Sequence, residues 1–301
     1  MTKGSADTQE FATPAGASVL RPPEQFSSIV QVAGLSHPGK VRPNNEDHFL
    51  VARFGRFFAT LQTNLAPGAV PLSFEDTGYG LAVADGMGGH AAGEEASRLA
   101  ISIFVNLVLS TPDWILRVDD PSSAEEVMRR AEERFGQVDE ALAEQAENDP
   151  KLHGFGTTMT LAASLAKDLF IGHIGDSRAY LFRKAKLHQL TRDHTLVREL
   201  YETGVITRAQ AATHHLRHAL TRHLGGQRGA RADVQKVALE NGDCLLLCSD
   251  GLNEMVSDDQ IAAILADGDI SAQTCQRLID RALAAGGKDN VTVIVARYCF
   301  P

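Results

Sequence analysis

Carboxylates recur in this chain at the ends of apolar runs, and that spacing is where its chemistry is most legible. Asp85 follows Leu81-Ala82-Val83-Ala84, Asp176 follows the run 170–175, and Asp250 follows 245–249. Each run reads as a strand, so each acid stands just beyond a strand's C-terminal end. Glu46, Asp47 and Asp289 stand instead just ahead of strand-like runs. In an antiparallel sheet the end of one strand lies beside the start of its neighbour, so all of these places can meet on one rim. Gly86, Gly175 and Gly251 accompany three of the acids and permit tight turns and close backbone approach to an ion. Asp and Gly also mark ordinary turns, which would account for any one of these sites. Their recurrence points to a carboxylate cluster. Hard oxygen donors without Cys or His select Mg2+ or Mn2+ over zinc. Two such ions, roughly 3.5–4 Å apart, clamp a phosphate and share a water of lowered pKa. A carboxylate between two cations also resists protonation.

The elements that must position these acids follow from periodicity. Strands are expected at 30–33, 48–52, 80–84, 159–164, 169–174, 179–183, 244–248 and 291–298. Helical spacing covers 91–109. Ser122 and Ser123, three residues ahead of Glu125 and Glu126, suggest a capped helix running to about 147, where Asp149-Pro150 stops it. Ser257 with Gln260 opens another helix, and a last one spans 271–285 before Gly286-Gly287. Helices packed on sheets, without strict βαβ alternation, are the expected architecture. Residues 54–79, with Gly55, Pro67, Gly68, Pro71 and Gly78, read as a loop excursion, and 1–28 as a disordered extension ahead of a domain spanning 29–301.

Composition narrows the function classes. The 301 residues are 44% hydrophobic and 22% charged with a formal net charge of −9, and no Lys/Arg run offers a footprint for nucleic acid. The longest mostly apolar stretch, 101–109, is too short to span a bilayer, and the N-terminus lacks the pattern of a secretory signal. Cys244, Cys248, Cys275 and Cys299 form no CxxC pair, as expected for reduced, largely buried thiols in a cytoplasmic protein.

Seven segments occur in order: Arg42-Pro43-Asn44-Asn45-Glu46-Asp47, Asp85-Gly86-Met87-Gly88-Gly89-His90, Gly156-Thr157-Thr158, Gly175-Asp176-Ser177-Arg178-Ala179-Tyr180, Thr191-Arg192-Asp193-His194, Ser249-Asp250-Gly251-Leu252 and Asp289-Asn290-Val291-Thr292. Together they resemble the bacterial form of the metal-dependent protein phosphatase family (protein phosphatase 2C) over about 30–298. The resemblance implies an α+β fold, a sandwich of two antiparallel β-sheets flanked by α-helices, with metals at one end. It implies that Asp85 bridges two Mn2+ or Mg2+ ions and Gly86 offers its carbonyl. Asp250 and Asp289 complete the first ion's shell, and Glu46 or Asp47 serves the second. Asp176 with Asp250 holds a possible third, weaker ion. Arg42 grips the substrate phosphate with its planar fork. The implied reaction is direct attack of metal-activated water on phosphoserine or phosphothreonine, without a phosphoenzyme. The implied partners are phosphorylated substrates of a Ser/Thr kinase, met by a monomer, with no nucleic acid or membrane. Met87 stands where animal members carry a histidine thought to protonate the leaving alkoxide. A metal-bound water or another acid, rather than His90, is expected in that role.

Other patterns carry less. Cys275 and Arg281 match the C-x5-R spacing of cysteine phosphatases, but in a helix interior without glycine, where no backbone N–H groups are free to cradle phosphate. Gly86, Gly88 and Ala91 fit a loose dinucleotide fingerprint that lacks its βαβ setting. His214 and His218 could share a helix face as zinc ligands. Residues 192–226 resemble the family's flap beside the site. A phosphatase-like binding module without catalysis would be expected to lose metal acids, all of which are retained. A two-metal hydrolase of small phosphoesters would need the same residues.

Overall fold

Strand β10 (Cys244–Cys248) explains the layering. Alternate side chains of a strand point to opposite faces. Leu245 and Leu247 enter a core with Leu81, Val83, Leu169, Ile171 and Ile294, which lies between two sheets. Cys244, Leu246 and Cys248 enter a second core under two helices, with Ile261, Leu265, Leu278 and Ile279. Both faces are covered, so the strand is an unbroken apolar run. Burying each of its leucines contributes about 1.5–3 kcal/mol.

The computed structural model describes residues 29–88, 91–111, 121–149, 152, 154–226 and 228–300. The extension 1–28 and His90 lie outside them. In chain order the elements are β1 (Ile29–His37), β2 (Asp47–Ala59), β3 (Ser73–Met87), α1 (Ala91–Ser110), α2 (Pro121–Asn148), β4 (Gly156–Thr157), β5 (Met159–Leu165), β6 (Asp168–Ile174), β7 (Arg178–Arg183) and β8 (Lys186–Gln189). There follow α3 (Leu196–Glu202), α4 (Arg208–Ala212), β9 (Asp233–Ala238), β10, α5 (Asp250–Asn253), α6 (Asp258–Ala266), α7 (Ser271–Ala284) and β11 (Val291–Cys299). One sheet runs β1-β11-β10-β7-β8 and the other β2-β3-β5-β6-β9, with β4 beside β3. All pairings are antiparallel. Helices α1 and α2 cover the second sheet through Ala96, Ala100, Phe135, Val138 and Leu142. The four-layer sandwich is the architecture that the resemblance implied.

The expected strands and long helices are present, and the capping box of Ser257 and Gln260 forms as read. Four expectations need correction. Residues 54–79 are mostly a long hairpin: the β2–β3 ladder continues to Ala59↔Ser73, leaving only 60–72 as connection. Helix α2 opens at Pro121, so Ser122 and Ser123 lie in its first turn rather than at its cap; proline suits a first position whose N–H has no intrahelical partner. His214 and His218 follow the end of α4 in turns, with the His214 and His215 rings stacked at 4.7 Å, so no helix face joins 214 to 218. Asp85 lies within β3 rather than beyond it, because Gly86 and Met87 continue the ladder opposite Thr157 and Gly156.

Candidate metal centre

The acids are brought together by register. Asp47 begins β2 and is the direct cross-strand partner of Asp85. Asp250 begins α5 two residues past β10, and Asp289 precedes β11, the strand paired with β10. Asp176 lies between β6 and β7. The charges acting on Asp85 are those of Asp47, Asp250, Asp176 and Asp289. Strand ends from both sheets therefore deliver five aspartates to one rim, as their positions in the sequence suggested.

Hydrogen bonds hold Asp85 and Glu46 by their backbones and Asp47 by its side chain. The Asp85 N–H donates to Thr158 Oγ1 at 3.1 Å, and its C=O accepts from Thr157 Oγ1 at 2.8 Å and from the Thr158 N–H at 2.9 Å. Asn290 Oδ1 accepts from the Glu46 N–H at 2.8 Å, while its Nδ2 donates to the carbonyls of Pro38 and Asn44. Ser97 of α1 donates to the Glu46 C=O at 2.6 Å. Ser249 donates to Asp47 Oδ2 at 2.7 Å, and its own Oγ accepts from the Thr292 N–H. Two glycines are required by close approach: a Cβ on Gly86 would overlap the Gly93 carbonyl, and one on Gly251 the Asn290 carbonyl.

Electrostatics follow from this crowding. Desolvation, with the charges of Asp250 and Asp289, pushes Asp47 up to about 7 despite its hydrogen bonds from Ser249 and Thr292. Asp85 rises well above the ordinary carboxylate range through burial and its four acidic neighbours. Asp176 rises likewise, through burial first and then Asp250 and Asp193. Asp47 Oδ1 is buried without a hydrogen-bond partner among the protein's groups, and a buried carboxylate oxygen is stabilised by a proton or a cation. Arg42 meets the cluster from the surface, donating from Nη2 to Asp289 Oδ2 at 2.7 Å. An orphaned carboxylate oxygen and mutually repelling aspartates fit hard divalent ions.

The segment likened to a flap contributes at the same rim. His218 Nδ1 lies 3.1 Å from Glu254 Oε1 and 3.8 Å from Asp250 Oδ2, so His218 meets Asp250 rather than His214. Glu254 escaped sequence reading because residues 250–253 were not expected to be helical, which would have set it one turn from Asp250. Cys275 is buried in α7, where its thiol contacts the Ala33 carbonyl and burial raises it to about 12. That excludes a cysteine nucleophile there.

Comparison with known proteins bears on the family and the fold. A family model described as Protein phosphatase 2C matches residues 69–285. The serine/threonine protein phosphatase PstP of Mycobacterium tuberculosis is 40% identical over 233 residues, 76% of this chain and 43% of that protein. The chain thus spans less than half the length of that relative. The serine/threonine phosphatase stp of Listeria monocytogenes is 35% identical over 213 residues, 71% of this chain and 82% of that protein. A crystal structure of M. tuberculosis PstP/Ppp superposes with a TM-score of 0.70 at 36% identity, covering 89% of this chain and 98% of that one. The catalytic domain of PstP in complex with two manganese ions gives 0.69 at 34% identity, covering 91% and 100%.

Proposed function

The chain belongs to the protein phosphatase 2C family, and from that membership we propose that it is a metal-dependent protein phosphatase acting on phosphoserine and phosphothreonine. The observation that carries the reading is the rim of five aspartates, repelling one another around a buried, unpartnered Asp47 oxygen. Residues 29–301 are read as the catalytic domain.

Asp85 and the Gly86 carbonyl, with Asp250 and Asp289, would hold one Mn2+ or Mg2+. Asp85 with Glu46 or Asp47 would hold a second, and Asp176 with Asp250 a third. When bound, the ions supply charge neutralisation and a water of lowered pKa. The protein's own contribution is position and charge. Ser249 holds the Asp47 carboxylate and the Thr157-Thr158 pair holds the Asp85 backbone, which would limit the reorganisation needed to meet the ions. Arg42, more than half exposed at the rim, would move from Asp289 to the phosphoryl oxygens as ions take over that carboxylate. Its fork would then stabilise charge gathering on those oxygens. Met87 carries no proton to give a leaving serine or threonine oxygen, so that proton would come from solvent or another acid. Phosphorylated products of a Ser/Thr kinase are the proposed partners, and the cytoplasm, where free Cys244, Cys248 and Cys275 stay reduced, the proposed compartment. Among the described residues no helix is long and apolar enough to cross a membrane.

Hydrolysis of a phosphothreonine peptide with Mn2+, with Mg2+ and with chelator tests the reading. Turnover should require metal and fall to the chelated level in Asp250→Ala. Preference for nucleotides or sugar phosphates would replace the protein substrate. Folded, metal-loaded protein that turns over none of them would leave only a binding module. In Arg42→Ala, KM should rise about tenfold, equivalent to about 1.4 kcal/mol of lost phosphate binding. An unchanged KM would remove Arg42 from the phosphate.

A further inference from the structure

The turn that presents Asp176 is held at Ser177 by the hydroxyls of Thr158 and Thr160 and at Gly175 by His194. The His194 backbone N–H donates to the Gly175 carbonyl at 2.7 Å. The Gly175 N–H donates in return to His194 Nδ1 at 3.1 Å. An amide can only donate here, so Nδ1 is the bare ring nitrogen and the ring proton sits on Nε2. Nε2 lies 3.0 Å from Asp233 Oδ2, which accepts that proton's hydrogen bond and fixes the tautomer. The other oxygen of Asp233 accepts from Arg222 Nη1 at 2.8 Å.

The surroundings leave the turn little freedom of its own. Gly175 has φ +109, and a Cβ there would press into the Thr158 side chain. The neighbouring Asp193 takes a two-point bond from Arg178, at 2.8 and 2.6 Å. The His173 ring packs against His194 with centroids 4.8 Å apart, tied to Thr160 Oγ1 and the Arg192 carbonyl. His194 itself is 1% exposed. A buried imidazole with both nitrogens engaged specifies position in a way that apolar packing does not.

The same residue closes the segment 195–222. Its carbonyl accepts from the Thr221 N–H at 2.8 Å, and the Leu196 N–H bonds the Ala219 carbonyl. Arg222 returns to Asp233 at the segment's far end, and the segment brings His218 to Glu254 and Asp250. We propose that His194 is a positioning residue: oriented by Asp233, it sets the Gly175-Asp176 turn and couples the placement of Asp176 to the seating of residues 195–222. This rests on the assignment of Asp176 as an ion ligand under the proposed function.

The test is a calorimetric Mn2+ titration of the full chain, with thermal melts in chelator and phosphopeptide kinetics alongside. Asp176→Asn marks the binding step that belongs to that acid. His194→Gln can keep a bond to Asp233 but loses the acceptor for Gly175, and should weaken that step about tenfold and lower kcat with little change in KM. His194→Asn, whose side-chain oxygen can replace Nδ1, should recover most of the step. Should both fold poorly, Asp233→Asn, whose side chain is 47% exposed, should shift the same step in the same direction by a smaller factor. A wild-type isotherm in His194→Gln, however far its melting temperature falls, overturns the proposal, as does a wild-type isotherm in Asp176→Asn. The titration needs no turnover. Wild-type protein that binds Mn2+ and leaves phosphopeptides intact defeats the functional reading while the isotherms still decide this one.

Discussion

Asp85 sits where a carboxylate is least stable without a counter-ion, because burial and four other aspartates all oppose its ionisation. Its side chain should therefore affect folding and chemistry with opposite signs. Asp85→Asn removes the charge at nearly constant shape, so the metal-free protein should melt at a higher temperature than wild type near pH 8, while turnover with Mn2+ disappears. A lower melting temperature in chelator would mean that Asp85 is a structural acid satisfied by its surroundings. The acids were readable from sequence because each stands near a strand end and all but Asp289 stand beside glycine or another acid, a pattern of type and position. The groups that hold them were not. Ser249, Asn290 and Thr158 stand within the quoted motifs, yet their hydrogen bonds to Asp47, Glu46 and Asp85 span 202, 244 and 73 residues. Only the folded pairing supplies those partners. The bond from Arg42 to Asp289 was hidden for the same reason.

Strands that are nearly continuous apolar runs, such as β10 and β11, were legible, while β8 and β9 were not. Strand β9 has half-buried Val234 and Val237 among exposed residues, too weak an alternation to read beyond its neighbours. The outer half of the β2–β3 hairpin was misread because Gly55 and Gly78 suggest a loop. Gly55 in fact meets the Asp76 backbone, and Gly78 the Phe54 ring and the Ser164 carbonyl, too closely for any Cβ. The strap from α3 to β9 depends on a similar unreadable contact. Asp139, buried on α2, accepts from the N–H groups of Gly225 at 2.9 Å and of Gly229 and Ala230 at 3.0 Å each. Beside it, Leu224 pairs with Thr157, whose hydroxyl holds the Asp85 carbonyl. Asp139→Ala would strand three donors, each costing about 1–3 kcal/mol when buried and unpaired. Partial access to water at this end of the strap brings the expected loss in urea melts to about 3 kcal/mol. Amide exchange should accelerate at 224–230 well before the β10–β11 ladder opens. Uniform acceleration across both sheets would show that Asp139 belongs to the global core instead.

The acid rim joins both sheets, so its ionisation is felt as stability of the entire sandwich. A group whose folded pKa lies above its unfolded value binds more protons when folded, and linkage then makes stability fall as pH rises between the two values. For Asp47 that window runs from the ordinary carboxylate range to about 7, and burial and acidic neighbours raise Asp85 and Asp176 in the same direction. Half-buried His48 and buried His173 and His194 act oppositely. Their depressed values make stability rise with pH, but only up to the unfolded histidine value of about 6.5. Glu202, held at about 2 by its bonds from Arg192 and Arg198, is ionised throughout. The buried thiols, raised to about 11–12, contribute only as unfolded cysteine begins to ionise above about pH 8. Between pH 6.5 and 7 the histidine contributions that oppose the rim are spent, while Asp47 and His218, which Asp250 and Glu254 raise, both make stability fall as pH increases, so the melting temperature in chelator should fall across that range. Saturating Mn2+ should flatten the slope, because cations take the place of the protons that the folded rim otherwise keeps. Parallel slopes with and without Mn2+ would mean that the ions do not bind among these aspartates, and the metal assignment would fall on a measurement that involves no substrate.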